Sequence, residues 1–85
     1  MGDWLKEWNK KVSEAKPGTE EGRRTLYFAA KDYIFVARLT ANESRRQEVL
    51  MKARNLVEKY CFHSYFTEEE LAMMGLYINR EIKSR

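Results

Sequence analysis

Apolar residues recur along this chain at intervals of three and four, the repeat of helices buried on one side. Trp4, Leu5, Trp8, Val12 and Ala15 keep that spacing among Lys, Glu and Asn, with Asp3 placed to cap, and predict a helix over about 3–15. The pattern stops at Lys16-Pro17-Gly18-Thr19, the clearest turn signal in the chain. Thr19 then suits the N-cap of a second helix over about 20–41, and Glu20 and Glu21 suit its positive end. The alternative is an α+β fold with residues 25–40 as a β-hairpin, since Tyr, Ile, Phe and Val favour strands. Against it, Ala30-Lys31-Asp32 lacks the Gly or Asn of a tight hairpin, and four alanines over 20–41 favour helix.

The apolar pattern lapses between Ala41 and Glu48, which favours a break, although no Gly or Pro enforces one. Two consecutive capping boxes, Thr40-Ala41-Asn42-Glu43 and Ser44-Arg45-Arg46-Gln47, offer starts for a third helix over about 44–62. Its Val49, Leu50, Ala53, Leu56, Val57, Tyr60 and Cys61 share one arc. In Phe66-Thr67-Glu68-Glu69-Glu70-Leu71, Thr67 and Glu70 form a further capping box, and Phe66 and Leu71 stand at the positions of a hydrophobic staple. A fourth helix is expected over about 68–84, with Leu71, Met74, Ile78 and Ile82 inward. The fold class is therefore all-α: a small antiparallel bundle of about four helices, one domain across 1–85.

A chain of 85 residues buries only about 60–65% of the surface it exposes when unfolded, so its core is thin. That makes the distribution of apolar residues around the second helix notable. At 100° per residue, Leu26, Ala29, Ala30, Tyr33, Ile34, Val36 and Ala37 occupy one half of the cylinder. Phe28, Phe35 and Leu39 form a separate strip, and Arg24, Lys31 and Arg38 form a basic seam between the two. One reading is that the first helix covers the strip with Trp4 and Trp8. The other is that the strip meets a protein partner or a second copy, where aromatics and Arg are enriched. Met73, Leu76 and Tyr77 lie off the inward stripe of the fourth helix and join the same candidate interface. A homo-oligomer, a dimer first, resolves such an excess.

Charge adds a second candidate. Lys plus Arg number 16 and Asp plus Glu 13, a net +3. Arg45, Lys52 and Lys59 make another line at spacing seven, and Arg46 stands beside Arg45. Arg24, Lys31, Arg38, Arg45, Arg46 and Lys52 are thus candidate contacts for an anion, either single-stranded nucleic acid or a nucleotide, with Tyr27 or Phe35 stacking on bases. The competing reading is a solvated face laced with pairs such as Glu48–Lys52, diluted by Glu43, Glu48 and Glu58.

Other chemistry has little foothold. The only Cys and the only His, Cys61 and His63, are too few for a zinc site, and two residues apart on a helix they do not face each other. Cys61 is expected as a buried, inert thiol, and the aromatics from Tyr60 to Phe66 as a plug for the bundle's end. No phosphate loop, nucleophile elbow or zinc-protease motif occurs, so neither catalysis nor a cofactor is expected. The longest apolar run, Tyr33 to Ala37, is five residues against the roughly 20 of a bilayer span, and no signal peptide is read at the start. The expectation is a cytoplasmic, non-enzymatic protein that self-associates or binds and regulates a protein partner, with anion binding as the alternative. In size and profile the chain resembles the small helical accessory proteins of phages and mobile elements, a resemblance of profile alone that assigns no residue a role.

Overall fold

The Pro17-Gly18 turn and two polar caps divide the chain into helices. The computed structural model describes residues 2–76. It contains α1 (Gly2–Glu14), α2 (Glu20–Leu39), α3 (Glu43–Tyr60) and α4 (Glu68–Met73), with a 3-10 turn at His63–Tyr65. No strand occurs among the described residues, and α2 runs through the whole of 25–40, which overturns the hairpin alternative.

Each boundary has a local cause. Thr19 donates its hydroxyl to the Lys16 carbonyl (2.8 Å) and accepts from the Gly22 N–H (3.0 Å), so one side chain closes the turn and caps α2. Gly22 is required there, because a Cβ on it would lie 1.9 Å from the Lys16 carbonyl oxygen. α2 ends at Thr40, whose hydroxyl donates to the Val36 carbonyl at 2.8 Å. α3 starts not from Thr40 or Ser44 but from Asn42, whose side chain accepts from the Arg45 N–H at 2.9 Å. An Asn at that position caps without a Glu or Gln three residues on, so the box pattern does not mark it. The break between α2 and α3 is thus real and only three residues long.

α3 lies antiparallel along α2, its C-terminal Tyr60 carbonyl meeting Arg23 near the start of α2. The seam between them is filled by fully buried Leu26, Ala29, Ala30, Ile34, Ala37, Ala53 and Val57, whose four alanines let the axes approach closely. α1 and the Ala15 that follows it lie along one flank of α2 and contribute Trp4, Leu5, Trp8, Val12 and Ala15, all half-buried. The Cα trace measures 44 × 35 × 14 Å. Its shortest dimension is the depth of two packed helices, about 14 Å from an interaxial distance near 9 Å plus two helix radii. In so thin a slab each helix has one inner and one outer face.

The fourth helix departs most from expectation. Its capping box forms as read, with Glu70 N–H donating to Thr67 Oγ1 (3.1 Å) and Thr67 N–H to Glu70 Oε1 (2.9 Å). Phe66 and Leu71 are both buried as the staple requires. But α4 ends at Met73 rather than near residue 84. Gly75 takes φ +78°, its N–H donates to the Ala72 carbonyl (2.9 Å), and Leu76 N–H donates to the Leu71 carbonyl (2.7 Å). These two bonds around a left-handed glycine are a Schellman ending, sealed by contact between the apolar residues on either side. The inward positions proposed for Ile78 and Ile82 fall outside the described residues. α3 ends in a related way on a cysteine: Cys61 has φ 59°, and Phe62 N–H reaches the Val57 carbonyl at 2.9 Å. That geometry turns Cys61 outward, so its thiol is exposed and not buried in the core, while Phe62 takes the inner position.

Candidate functional site

Among the described residues, the outer face of α2 carries three of the five large apolar side chains that are exposed. Phe28, Phe35 and Leu39 are 51%, 60% and 71% exposed, and no described element covers them. Two rings of about 200 Å² each and a leucine at these exposures leave roughly 300 Å² of apolar surface open, the size at which patches on monomers are often functional. Trp4 and Trp8 do not cover the strip. Both turn to its edge, where their indole N–H groups donate to the same carboxylate oxygen, Asp32 Oδ2, at 2.9 and 2.7 Å. Their rings meet Tyr33 edge-on, with centroids 5.8 and 6.5 Å away. Burial, and then the neighbouring Asp32 charge, hold the Tyr33 phenol above its ordinary pKa. A groove of about 580 Å³ opens between the end of α1 and the start of α2, lined in part by Trp8, Ala15, Gly22 and Phe28, and extends the apolar surface beyond Phe28.

The basic seam does something different from tracking phosphates. Lys31 Nζ lies 3.4 Å from Glu70 Oε1 and sits over the Phe66 ring at 4.8 Å. Arg38 Nη2 lies 3.7 Å from Glu69 Oε1. The seam thus receives the acidic first turn of α4 and docks it on the flank of α2 opposite α1. Burial opposes the charged form of Glu70, but the Thr67 backbone N–H and the Lys31 ammonium outweigh it, and the carboxyl sits below the usual glutamate range. Arg24 at the seam's other end is exposed and pairs only with Glu20, at 3.5 Å.

The remaining candidate residues are dispersed. Arg46 pairs with Glu43 on the same helix, and that hydrogen bond, with a second from Gln47, holds the Glu43 carboxyl below its ordinary value. Arg45 is exposed and Lys52 half-buried on α3, and neither makes an ion pair among the described residues. The structure does not gather Arg45, Arg46 and Lys52 with the α2 seam into one anion site. Met73 is half-buried against the core. Leu76 is only 8% exposed, because the Schellman turn folds it inward, so it does not contribute to an outer face. Tyr77 lies outside the described residues. No cluster of three or more His, Cys, Asp or Glu able to hold a metal occurs among the described residues.

One assembly was only half legible in the sequence. Tyr27 meets Phe62, Tyr65 and Phe66 edge-on, with centroids 6.2, 5.4 and 5.8 Å apart, so the expected aromatic plug does form. It is not a closed plug. Tyr65 remains 56% exposed, and with Glu20, Arg23, Arg24, Tyr27 and Phe62 it lines a cleft of about 430 Å³. Arg23 places its guanidinium over the Phe62 ring, 5.0 Å from the centroid. Arg23 does not share the seven-residue spacing of the seam, and periodicity alone therefore missed it.

No helix among the described residues is long and apolar enough to cross a membrane. No protein-family model matches the chain, and comparison with curated proteins and with solved structures finds no match.

Proposed function

We propose that this protein is a non-enzymatic interaction module that works as a homodimer, joined through the outer face of α2. The observation that carries the reading is the strip of Phe28, Phe35 and Leu39, more than half exposed between two flanking helices. A second copy is the occupant that the surface suits. In a two-fold pair the strip counts twice, giving roughly 600 Å² of central apolar contact, and the groove beside Phe28 with the polar rim brings the total toward the 1,200 Å² of a specific interface.

Sedimentation equilibrium tests this. The wild-type chain is expected to dimerise below about 100 μM, a modest association of roughly 5.5 kcal/mol. Phe35→Asp is expected to give a monomer with an unchanged helical melt at low concentration, because the residue it replaces is exposed. A wild-type monomer at about 100 μM sinks the proposal. So does a dimer that survives Phe35→Asp, which would place the contact elsewhere.

A further inference from the structure

The corner where α3 turns into α4 combines three features that the α2 strip lacks: a concave shape, ring faces and unspent positive charge. Its cleft of about 430 Å³ lies within the range of small-molecule sites. One side is aromatic, from Tyr27, Phe62 and Tyr65, and Tyr65 is half-exposed although two other rings already contact it. The other side is cationic. Arg23 has no carboxylate partner among the described residues; its guanidinium stacks on Phe62 and gives one N–H to the Tyr60 carbonyl at 3.4 Å. Arg24 is held only by Glu20 at 3.5 Å, both side chains mostly in water. Such a pair is worth at most about 1 kcal/mol, so an incoming anion displaces the carboxylate cheaply. By contrast Lys31 and Arg38 are committed to α4, so the positive charge left open on α2 lies at this corner.

An exposed ring face, that of Tyr65, beside two guanidinium groups selects a ligand that is both planar and anionic. We infer that the cleft binds a nucleobase together with its phosphate. The base stacks on Tyr65, with the tilted Tyr27 ring against its edge, and Arg23 and Arg24 take the phosphate oxygens, for which their forked donors are suited. Glu20 is the built-in competitor for Arg24. The site shares no residue with the strip, although its Tyr27 ring meets Phe28 at 5.3 Å, and Phe35→Asp, which removes the dimer, leaves the site complete.

The test follows amide resonances of the full chain at low salt during titration with a nucleoside, inorganic phosphate, a nucleoside 5′-monophosphate and a six-residue single-stranded oligonucleotide. The monophosphate is expected to shift Arg23, Arg24, Tyr27 and Tyr65, and to bind about tenfold or more tightly than the nucleoside or phosphate alone. Arg24→Gln is expected to weaken it by a similar factor, Tyr65→Ala to weaken it, and Glu20→Gln to tighten it; both residue 20 and residue 24 are exposed enough to replace without unfolding the chain. Phe35→Asp should leave binding unchanged. Tighter, steeply salt-dependent binding of the oligonucleotide identifies single strands as the source of the base, and equal binding identifies free nucleotides. No shift with either at millimolar concentration overturns the inference. Shifts that phosphate alone reproduces, or that survive both Arg24→Gln and Tyr65→Ala, overturn it as well.

Discussion

Asp32→Ala should release α1 while leaving α2 and α3 folded. The Asp32 carboxylate is the one acceptor for both indole N–H groups, at 2.9 and 2.7 Å, and these are the hydrogen bonds that join α1 to α2 among the described residues. A hydrogen bond to a charged group contributes about 1.5–3 kcal/mol. Both bonds end on the same oxygen and all three side chains are half-buried, so the sum is discounted to about 2–3 kcal/mol. What then holds α1 is the partial burial of five apolar residues, among them the edge-on contacts of Trp4 and Trp8 with Tyr33. The substitution should therefore raise the population of the α1-detached state roughly 30- to 150-fold. The core along α2 and α3 makes no use of Asp32, so the loss is local rather than global. The chain's two tryptophans both lie on α1, which provides a direct readout. In Asp32→Ala their emission should shift to the red at denaturant concentrations where ellipticity at 222 nm is still near native. Amide exchange should speed up in α1 and not in α3. A variant whose fluorescence and ellipticity transitions coincide, with a midpoint within about 0.5 kcal/mol of wild type, would refute the reasoning.

Three further outcomes can be checked. Gly22→Ala should destabilise the chain by at least about 2 kcal/mol in urea melts, because its Cβ would meet backbone, the Lys16 carbonyl oxygen at 1.9 Å, and the turn would have to move. Gly75→Ala and Cys61→Gly should have opposite signs, about 1 kcal/mol lost and up to about 1 kcal/mol gained, since each replaces a residue held at positive φ and the added Cβ at residue 75 meets only Arg54 Nη1 at 3.6 Å. The Glu70 carboxyl is held below its ordinary value, so its stabilisation is fully present above about pH 4.5 and is lost as pH falls through the lowered folded value. Between pH 5 and 3 the wild type should therefore lose more stability than Glu70→Gln, measured by melts at each pH.

How much of this was legible in the sequence depended on whether the signal was local. The turn at Pro17-Gly18, the cap at Thr19 and the capping box at Thr67–Glu70 each involve neighbours within four residues, and each was read correctly. The two C-terminal signals were also local but were read through. Gly75 stands one residue after the cap of α4, yet apolar spacing continued past it to Ile78 and Ile82 and outweighed the glycine. Cys61 offered no signal, because a left-handed cysteine is uncommon and its place on the apolar arc argued for burial. Around α2 periodicity separated core face, strip and seam as the structure does, except that Val36, placed on the core face, is only half-buried at its edge. What periodicity could not supply was which neighbour takes which face. Trp4 and Trp8 were available to the strip, but a single acceptor at Asp32 drew both indoles to its edge, a pairing 24 and 28 residues distant in sequence.

That long-range choice also settles where charge and apolar surface remain. α2 has four sides, and α3, α1 and the first turn of α4 take three of them. α1 is held by an acceptor on α2 and α4 by donors on it, so both flanking helices are placed by polar contacts at the rims of the strip rather than by apolar contacts across it. This geometry keeps the strip open: a helix anchored at Asp32 is held to one side of Phe28 and Phe35, and a helix anchored at Lys31 and Arg38 is held to the other. It equally neutralises the seam from Lys31 onward and leaves Arg23 and Arg24, two helical turns nearer the N-terminus, beyond the reach of the α4 glutamates. The two proposed surfaces follow from the same two anchors. Breaking the α1 anchor should therefore uncover more of the apolar flank without altering the cationic corner, so Asp32→Ala should change self-association and leave nucleotide titrations at Arg24 and Tyr65 as they are in wild type.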